Sequence, residues 1–368
     1  MIKVLVVDDS ALMRRLLANV FNAEGDFTVD IARDGVEALA KAHEFKPDVM
    51  TLDVHMPNMD GLACLNRIMI ECPTRVIMVS SLTDEGAGET FEAMQLGAVD
   101  FVAKPGGAAS LTIDEWAPVL IEKVRLAAKQ RLRTTRRLAE RVRFRAKALE
   151  SAASRKTSLQ SRWPTSRQRA AGASDCVVLV GSSTGGPPAL DALLSPLSAD
   201  FPWPIVIAQH MPASFTGALA RRLDSICEIG VVEVRRPTPL EPGCAYIGRG
   251  DADIVIARRA GGLIAMAAPA RAEYPWHPST DRLVRSAMEN VEADRLIGIL
   301  MTGMGYDGAQ AMKALREKGG RTIAEAEETA VVWGMPGELV RCGGADWVEP
   351  LPKIFERLLE LKPRAPNS

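Results

Sequence analysis

Ser183, His210 and Asp307 are residue types that can work together as a nucleophile, a base and an orienting acid. A serine hydroxyl is a poor nucleophile until a neighbouring imidazole takes its proton. A carboxylate then fixes the imidazole tautomer and stabilises the imidazolium. The glycines of MTGMGYDG at 301–308 let backbone N–H groups around Met304 turn inward toward an oxyanion. The chain order is Ser, His, Asp, unlike the Ser, acid, His order of α/β-hydrolases. His277, in the loop Tyr274-Pro275-Trp276-His277-Pro278, is a rival base in second place because it lies at no strand end. A second set is Asp8, Asp9, Asp53, Ser80 and Lys104. Three carboxylates together repel unless a cation sits among them, and a hard ion with oxygen ligands, Mg2+, fits. One carboxylate can then accept a phosphoryl group, with the lysine and the hydroxyl holding its oxygens.

These residues need elements that bring them together. In the first part of the chain, apolar runs at 3–7, 28–32, 49–52, 76–79 and 100–103 predict five strands. Helical patterns alternate with them, so the expected fold is a parallel sheet of βαβ units. The polar residues that end these strands then collect at its carboxyl edge, where ligands bind.

In the second part, residues 176–180 predict a buried strand, followed by the turn GSSTGG at 181–186 and a helix opened by Pro187 and Pro188. The turn has two readings: a phosphate cradle at a helix N-terminus, or a nucleophile elbow, since Gly181-x-Ser183-x-Gly185 fits G-x-S-x-G. A strand at 204–209 ends at His210, and Ser214 is expected to cap the next helix. Short runs at 231–234, 245–247, 254–257 and 263–266 predict an insertion of β-hairpins, and a strand at 296–300 leads to Asp307.

Between the two parts, residues 123–169 are rich in Arg and Lys, with Glu140 and Glu150 as the only acids. A basic helical extension to about Leu149 and then a flexible tether are expected. A length of 368 residues suits about two domains. Net charge is −1, so the chain as a whole is not built to bind a polyanion, and nucleic acid is not an expected partner. No apolar run is long enough to cross a bilayer, which argues against membrane insertion. The six cysteines are scattered without metal spacing, and the N-terminus lacks a signal-peptide pattern, so reduced thiols and a cytoplasmic location are expected.

The first part resembles a response-regulator receiver domain, through VVDDS at 6–10, LDVHMPNMDG around Asp53, VSS at 79–81 and AVDFVAKP at 98–105. The resemblance implies a flavodoxin-like fold with Asp53 as phospho-acceptor. It implies Mg2+ held by Asp8, Asp9, Asp53 and the His55 carbonyl, phosphoryl contacts from Ser80 and Lys104, and Phe101 at the switch aromatic. The second part resembles the catalytic domain of the chemotaxis protein-glutamate methylesterases, the CheB family. The motifs are GSSTGG, QHMP with SFT at 209–216, PGCAYIGRGD at 242–251, MTGMGYDG, and WGMPGEL at 333–339. This implies Ser183 as nucleophile, His210 as base, Asp307 as orienting acid and the Met304 amide as oxyanion donor, with no cofactor for ester hydrolysis. It also implies demethylation of glutamate methyl esters and deamidation of glutamines on methyl-accepting chemoreceptors, with a chemotaxis histidine kinase as phosphodonor and phosphorylation relieving occlusion of the active site. Departures are Trp276-His277 where relatives have His-Arg, Ser182 in place of Ala, and Tyr306.

The expected architecture is therefore α/β throughout. A receiver domain with a five-stranded parallel sheet spans 1–122, a basic extension and linker 123–173, and a doubly wound, mostly parallel catalytic domain with a β-hairpin insertion 174–362. The alternative is a phospho-switched binding protein that acts through its basic linker and carries an inert esterase domain.

Overall fold

The computed structural model describes residues 1–81, 84–105, 113–129 and 176–361. The chain divides into two compact units, Met1–Gln160 and Ser161–Ser368.

In the first unit, strands and helices alternate: β1 (Ile2–Val7), α1 (Ala11–Asn22), β2 (Phe27–Ala32), α2 (Gly35–Phe45), β3 (Val49–Asp53), α3 (Gly61–Glu71), β4 (Arg75–Ser80), α4 (Asp84–Leu96), β5 (Asp100–Ala103) and α5 (Ile113–Lys129). The strands form one parallel sheet in the order β2-β1-β3-β4-β5, which is the flavodoxin-like order. The central strand β3 is buried along its whole length, as a parallel strand covered on both faces must be. Short polar residues start the helices. Ser10 accepts from Met13 N, Asp34 from Val36 N and Glu37 N, and Asp60 from Ala63 N. The core is continuous from Val4 and Phe21 to Leu120 and Val124, so α5 packs into it well past residue 122. The expected helical extension beyond Lys129 and the tether lie outside the described residues.

The second unit runs β6 (Val177–Ser182), α6 (Gly186–Leu194), β7 (Ile205–Gln209), α7 (Ala213–Ile226), β8 (Gly230–Glu233), β9 (Thr238–Pro239), β10 (Cys244–Ile247), β11 (Ala252–Arg259), β12 (Gly262–Pro269), α8 (Thr280–Asn290), β13 (Leu296–Leu300), α9 (Ala309–Glu317), β14 (Arg321–Glu325), α10 (Met335–Arg341), β15 (Trp347–Glu349) and α11 (Leu351–Glu360). Its main sheet has seven strands in the order β15-β14-β13-β6-β7-β10-β8, all paired in parallel. The three strands that lead to Ser183, His210 and Asp307 are neighbours at its centre.

Two expectations change here. Of the four runs read as hairpins, β8 and β10 pair in parallel and form one flank of the main sheet. Only β11 and β12 make a hairpin, and β9 joins them in a small antiparallel sheet. Short apolar runs split by Gly and Pro carry no mark of strand direction. The crossover from β8 to β10 passes through β9 instead of a helix, which hid it. Ser214 does not cap α7 either. The helix begins two residues sooner, with Pro212 at the cap position in an extended conformation and no side-chain bond there. Ser214 falls inside the first turn, and its hydroxyl is buried without a hydrogen bond.

Candidate active site

At the carboxyl edge of the first sheet, Asp8 and Asp53 are buried and Asp9 is exposed. Ligand oxygens of all three lie within 4.8 Å of one another. Lys104 Nζ lies 2.9 Å from Asp8 Oδ2 and 2.8 Å from Asp53 Oδ2. Asp8 Oδ2 accepts no well-aligned hydrogen bond, and Asp53 Oδ1 accepts only from Val54 N at 2.8 Å. Burial pushes the Asp53 carboxyl above its ordinary value, and the Asp8 charge adds to this against the opposing pull of Lys104. Burial lowers Lys104, but its bonds to Asp53 and Asp8 win, and its ammonium is held above the usual lysine range. Three clustered carboxylates with an under-satisfied buried oxygen suit a Mg2+ ion. The His55 side chain turns away to Glu89, at 3.0 Å. The Ser80 hydroxyl donates to Gly86 O at 3.2 Å, and Phe101 is buried edge-on against Phe91.

In the second unit, β6 ends at Ser182 and the chain turns sharply through Ser183 into α6. Gly185 has φ 77°, and a Cβ on Gly186 would fall 1.8 Å from Gln209 Oε1. This turn therefore requires glycine at both positions. Ser183 N donates to Thr302 O at 3.0 Å, which ties the turn to the loop after β13. A Cβ on Gly303 would lie 2.9 Å from the Ser183 Cβ, so the loop backbone passes directly beside the serine. The next residue, Met304, is buried, and its amide donates no hydrogen bond among the described residues.

His210 follows β7. Its Nε2 lies 2.8 Å from Asp307 Oδ2, and its Nδ1 is buried with no hydrogen bond. With the Nε2 proton on the Asp307 side, Nδ1 carries the free lone pair. Asp307 also accepts from Ser279 Oγ at 2.9 Å, Thr280 N at 2.6 Å and Asp281 N at 3.1 Å. These donors stand at the start of α8, where the helix dipole favours an anion. Burial would raise the Asp307 carboxyl, but the His210 bond and charge and the two backbone N–H groups outweigh it and hold it below its ordinary value. Asp281 goes the other way, pushed up by burial and then by the Asp307 charge.

The structure thus gathers His210, Asp307 and the Ser183 turn at one edge. His277 is engaged with a different carboxylate, with Nδ1 2.8 Å from the buried Asp253, which also accepts from Ser279 N and Arg282 Nη1. Sequence reasoning missed Gln209. Its Nε2 donates to Ser183 O at 2.9 Å and His210 O at 3.0 Å, and the Ser182 hydroxyl donates to its Oε1 at 2.7 Å. It clamps the Ser183 turn to the end of the strand that leads to His210. The signal available was a lone amide ending the apolar run IVIAQ. It also missed Ser279 as a donor to Asp307, and no local pattern announces a contact across 28 positions.

The family model described as CheB methylesterase matches residues 178–358, and that described as response regulator receiver domain matches 4–113. A protein-glutamate methylesterase/protein-glutamine glutaminase of Rhodopseudomonas palustris (strain BisB18) is 56% identical over 98% of this chain and 98% of its own length. One from Rhodospirillum rubrum is 50% identical over 97% of this chain and 95% of its own. The crystal structure of the Thermotoga maritima CheB methylesterase catalytic domain matches with a TM-score of 0.50 at 39% identity, covering 51% of this chain and all of that domain. Both units and nearly the whole length are accounted for, and the chain belongs to the CheB family of receiver-bearing protein-glutamate methylesterases.

Proposed function

We propose that this chain hydrolyses methyl esters of glutamate side chains on methyl-accepting chemoreceptors, and deamidates glutamines there, under control of its own receiver domain. The observation that carries the reading is the His210 imidazole. One nitrogen is held by Asp307 at 2.8 Å, and the other is buried with a free lone pair at the sheet edge that carries Ser183. Ser183 Oγ attacks the γ-carbonyl carbon and gives its proton to His210 Nδ1, while Asp307 stabilises the imidazolium. The Met304 N–H holds the oxyanion. Methanol leaves with the proton from His210, or ammonia when the substrate is glutamine. Water then attacks the acyl-enzyme, with His210 as base, and glutamate is released.

In the receiver domain we assign Asp53 as phospho-acceptor. Asp8, Asp9, Asp53 and the His55 carbonyl would hold Mg2+, which when bound offsets negative charge as the phosphoryl group arrives. Lys104 gives up its shared ion pair to contact the phosphoryl oxygens, together with Ser80. The phosphodonor is a chemotaxis histidine kinase. No helix among the described residues is long and apolar enough to cross a membrane, and receptor tails and kinase would meet the chain in the cytoplasm. We place the receiver domain from residue 1 through α5, whose Val124 and Ala127 belong to its core, so the expected boundary at 122 moves to the end of that helix, and the catalytic domain at 174–362.

The test is methanol release from a methylated receptor fragment, with and without a small phosphodonor. Release that rises with phosphodonor and falls by roughly 10⁴-fold or more in Ser183→Ala is expected. Equal release by Ser183→Ala overturns the reading.

A further inference from the structure

The reading above leaves an aromatic pair at the site without a role. The Trp276 indole lies parallel to the His210 imidazole, with ring centroids 6.0 Å apart and planes 8° apart. Tyr306, 56% exposed, meets the indole edge-on at 5.0 Å and 83°. Gly305 makes room for this arrangement. It has φ 79°, and a Cβ there would come within 2.7 Å of the indole Cη2 and Cζ2. The loop that carries Asp307 therefore also cradles Trp276.

The need for such a contact is geometric. The bond from Nε2 to Asp307 fixes one point of the imidazole and leaves its plane free to tilt. No second hydrogen bond holds the ring, because Nδ1 has no partner. A flat ring stacked on the imidazole removes the tilt. Proton transfer from Ser183 depends on the direction of the Nδ1 lone pair, so a tilted ring is a slow base. We propose that Trp276 is a positioning residue that fixes the plane of His210, with Tyr306 bracing the indole from its solvent side. The proposal rests on the esterase reading.

The test is methanol release by the full chain, with kcat and KM separated, for wild type, Trp276→Ala, Trp276→Leu and Trp276→Phe. The alanine and leucine variants are expected to lower kcat roughly ten- to a hundredfold. KM should stay within about threefold, and phenylalanine should restore kcat to within about threefold of wild type. Leucine keeps the apolar bulk without a flat ring, so it decides the matter if the alanine variant fails to fold. Unchanged kcat in the leucine variant overturns the proposal. So does a rise in KM at constant kcat, which would make the indole a wall for substrate. A folded wild-type chain that releases no methanol overturns the esterase reading itself and this proposal with it.

Discussion

Both units gather carboxylates at the carboxyl edge of a parallel sheet, and they treat them in opposite ways. Asp307 is surrounded by donors: His210, Ser279, and the N–H groups of Thr280 and Asp281. It is held below its ordinary carboxyl value. Asp53 has one backbone N–H and half of a lysine, and it is held above that value. The difference matches the roles we propose for the two carboxylates. A carboxylate that only orients a base works best when every lone pair is occupied, because it then cannot move. A carboxylate that forms a bond to phosphorus must keep a lone pair within reach, and under-satisfaction is how the fold keeps it.

The sharpest way to break this comparison is Asp307→Asn. The amide keeps the shape but removes the charge that the imidazolium needs. Methanol release should fall by roughly 10⁴-fold, while the helix start at 279–281 keeps the far-ultraviolet circular dichroism of the wild type. A loss of less than tenfold would mean that the four donors surround a structural cap, not a catalytic carboxylate.

A smaller effect is expected for Gln209→Ala, which removes the donor to two backbone carbonyls at once. Ser183 O keeps its bond from Gly186 N at 2.8 Å, whereas His210 O is left unpaired at a cost of about 1–3 kcal/mol. Thermal unfolding should show the loss in the transition of the catalytic domain, and kcat should fall because Ser183 and His210 are no longer clamped together. A variant with unchanged stability and rate would show that the clamp is idle.

The smallest effect separates the two carboxylates by pH. A raised folded-state value such as that of Asp53 favours stability at low pH and costs stability once pH rises through it. Asp53→Asn should therefore raise the melting temperature of the receiver domain at pH 7 by a few degrees at most, and it should abolish the phosphodonor response. The gain should vanish as pH falls below about 4. Asp307, lowered from 3.8, contributes stability above that value and loses it as pH falls through its folded-state value. Acid should thus relieve Asp53 first, as pH falls toward about 4, and weaken the catalytic domain only below that.

The same contrast shows where the sequence was readable. Residues that end a buried strand announce themselves, because a polar side chain after an apolar run has nowhere to go but the sheet edge. Asp53, His210 and the Ser183 turn were legible for that reason. Asp307 lies seven positions past Leu300 and was legible only through the glycines around it. Strand direction was not legible for β8 and β10, since four residues are too few to tell a continuous apolar run from an alternating one. The Ser214 cap failed because Pro212 already sets an extended backbone one residue before the helix. Gln209, Ser279 and the Trp276 stack were hidden because each acts through a partner brought close only by the finished fold.

The central position of β13 has a consequence for the growing chain. It pairs with β6 across more than a hundred residues, with Leu300 opposite Gly181. Closing so long a loop is entropically costly and slow. A nascent chain that has made β6 and β7 already holds Ser183 and His210, but Asp307 arrives only after β13. A chain cut before β13 therefore lacks the carboxylate that holds the His210 imidazole, and the edge of the sheet is left with a serine turn and an unanchored ring.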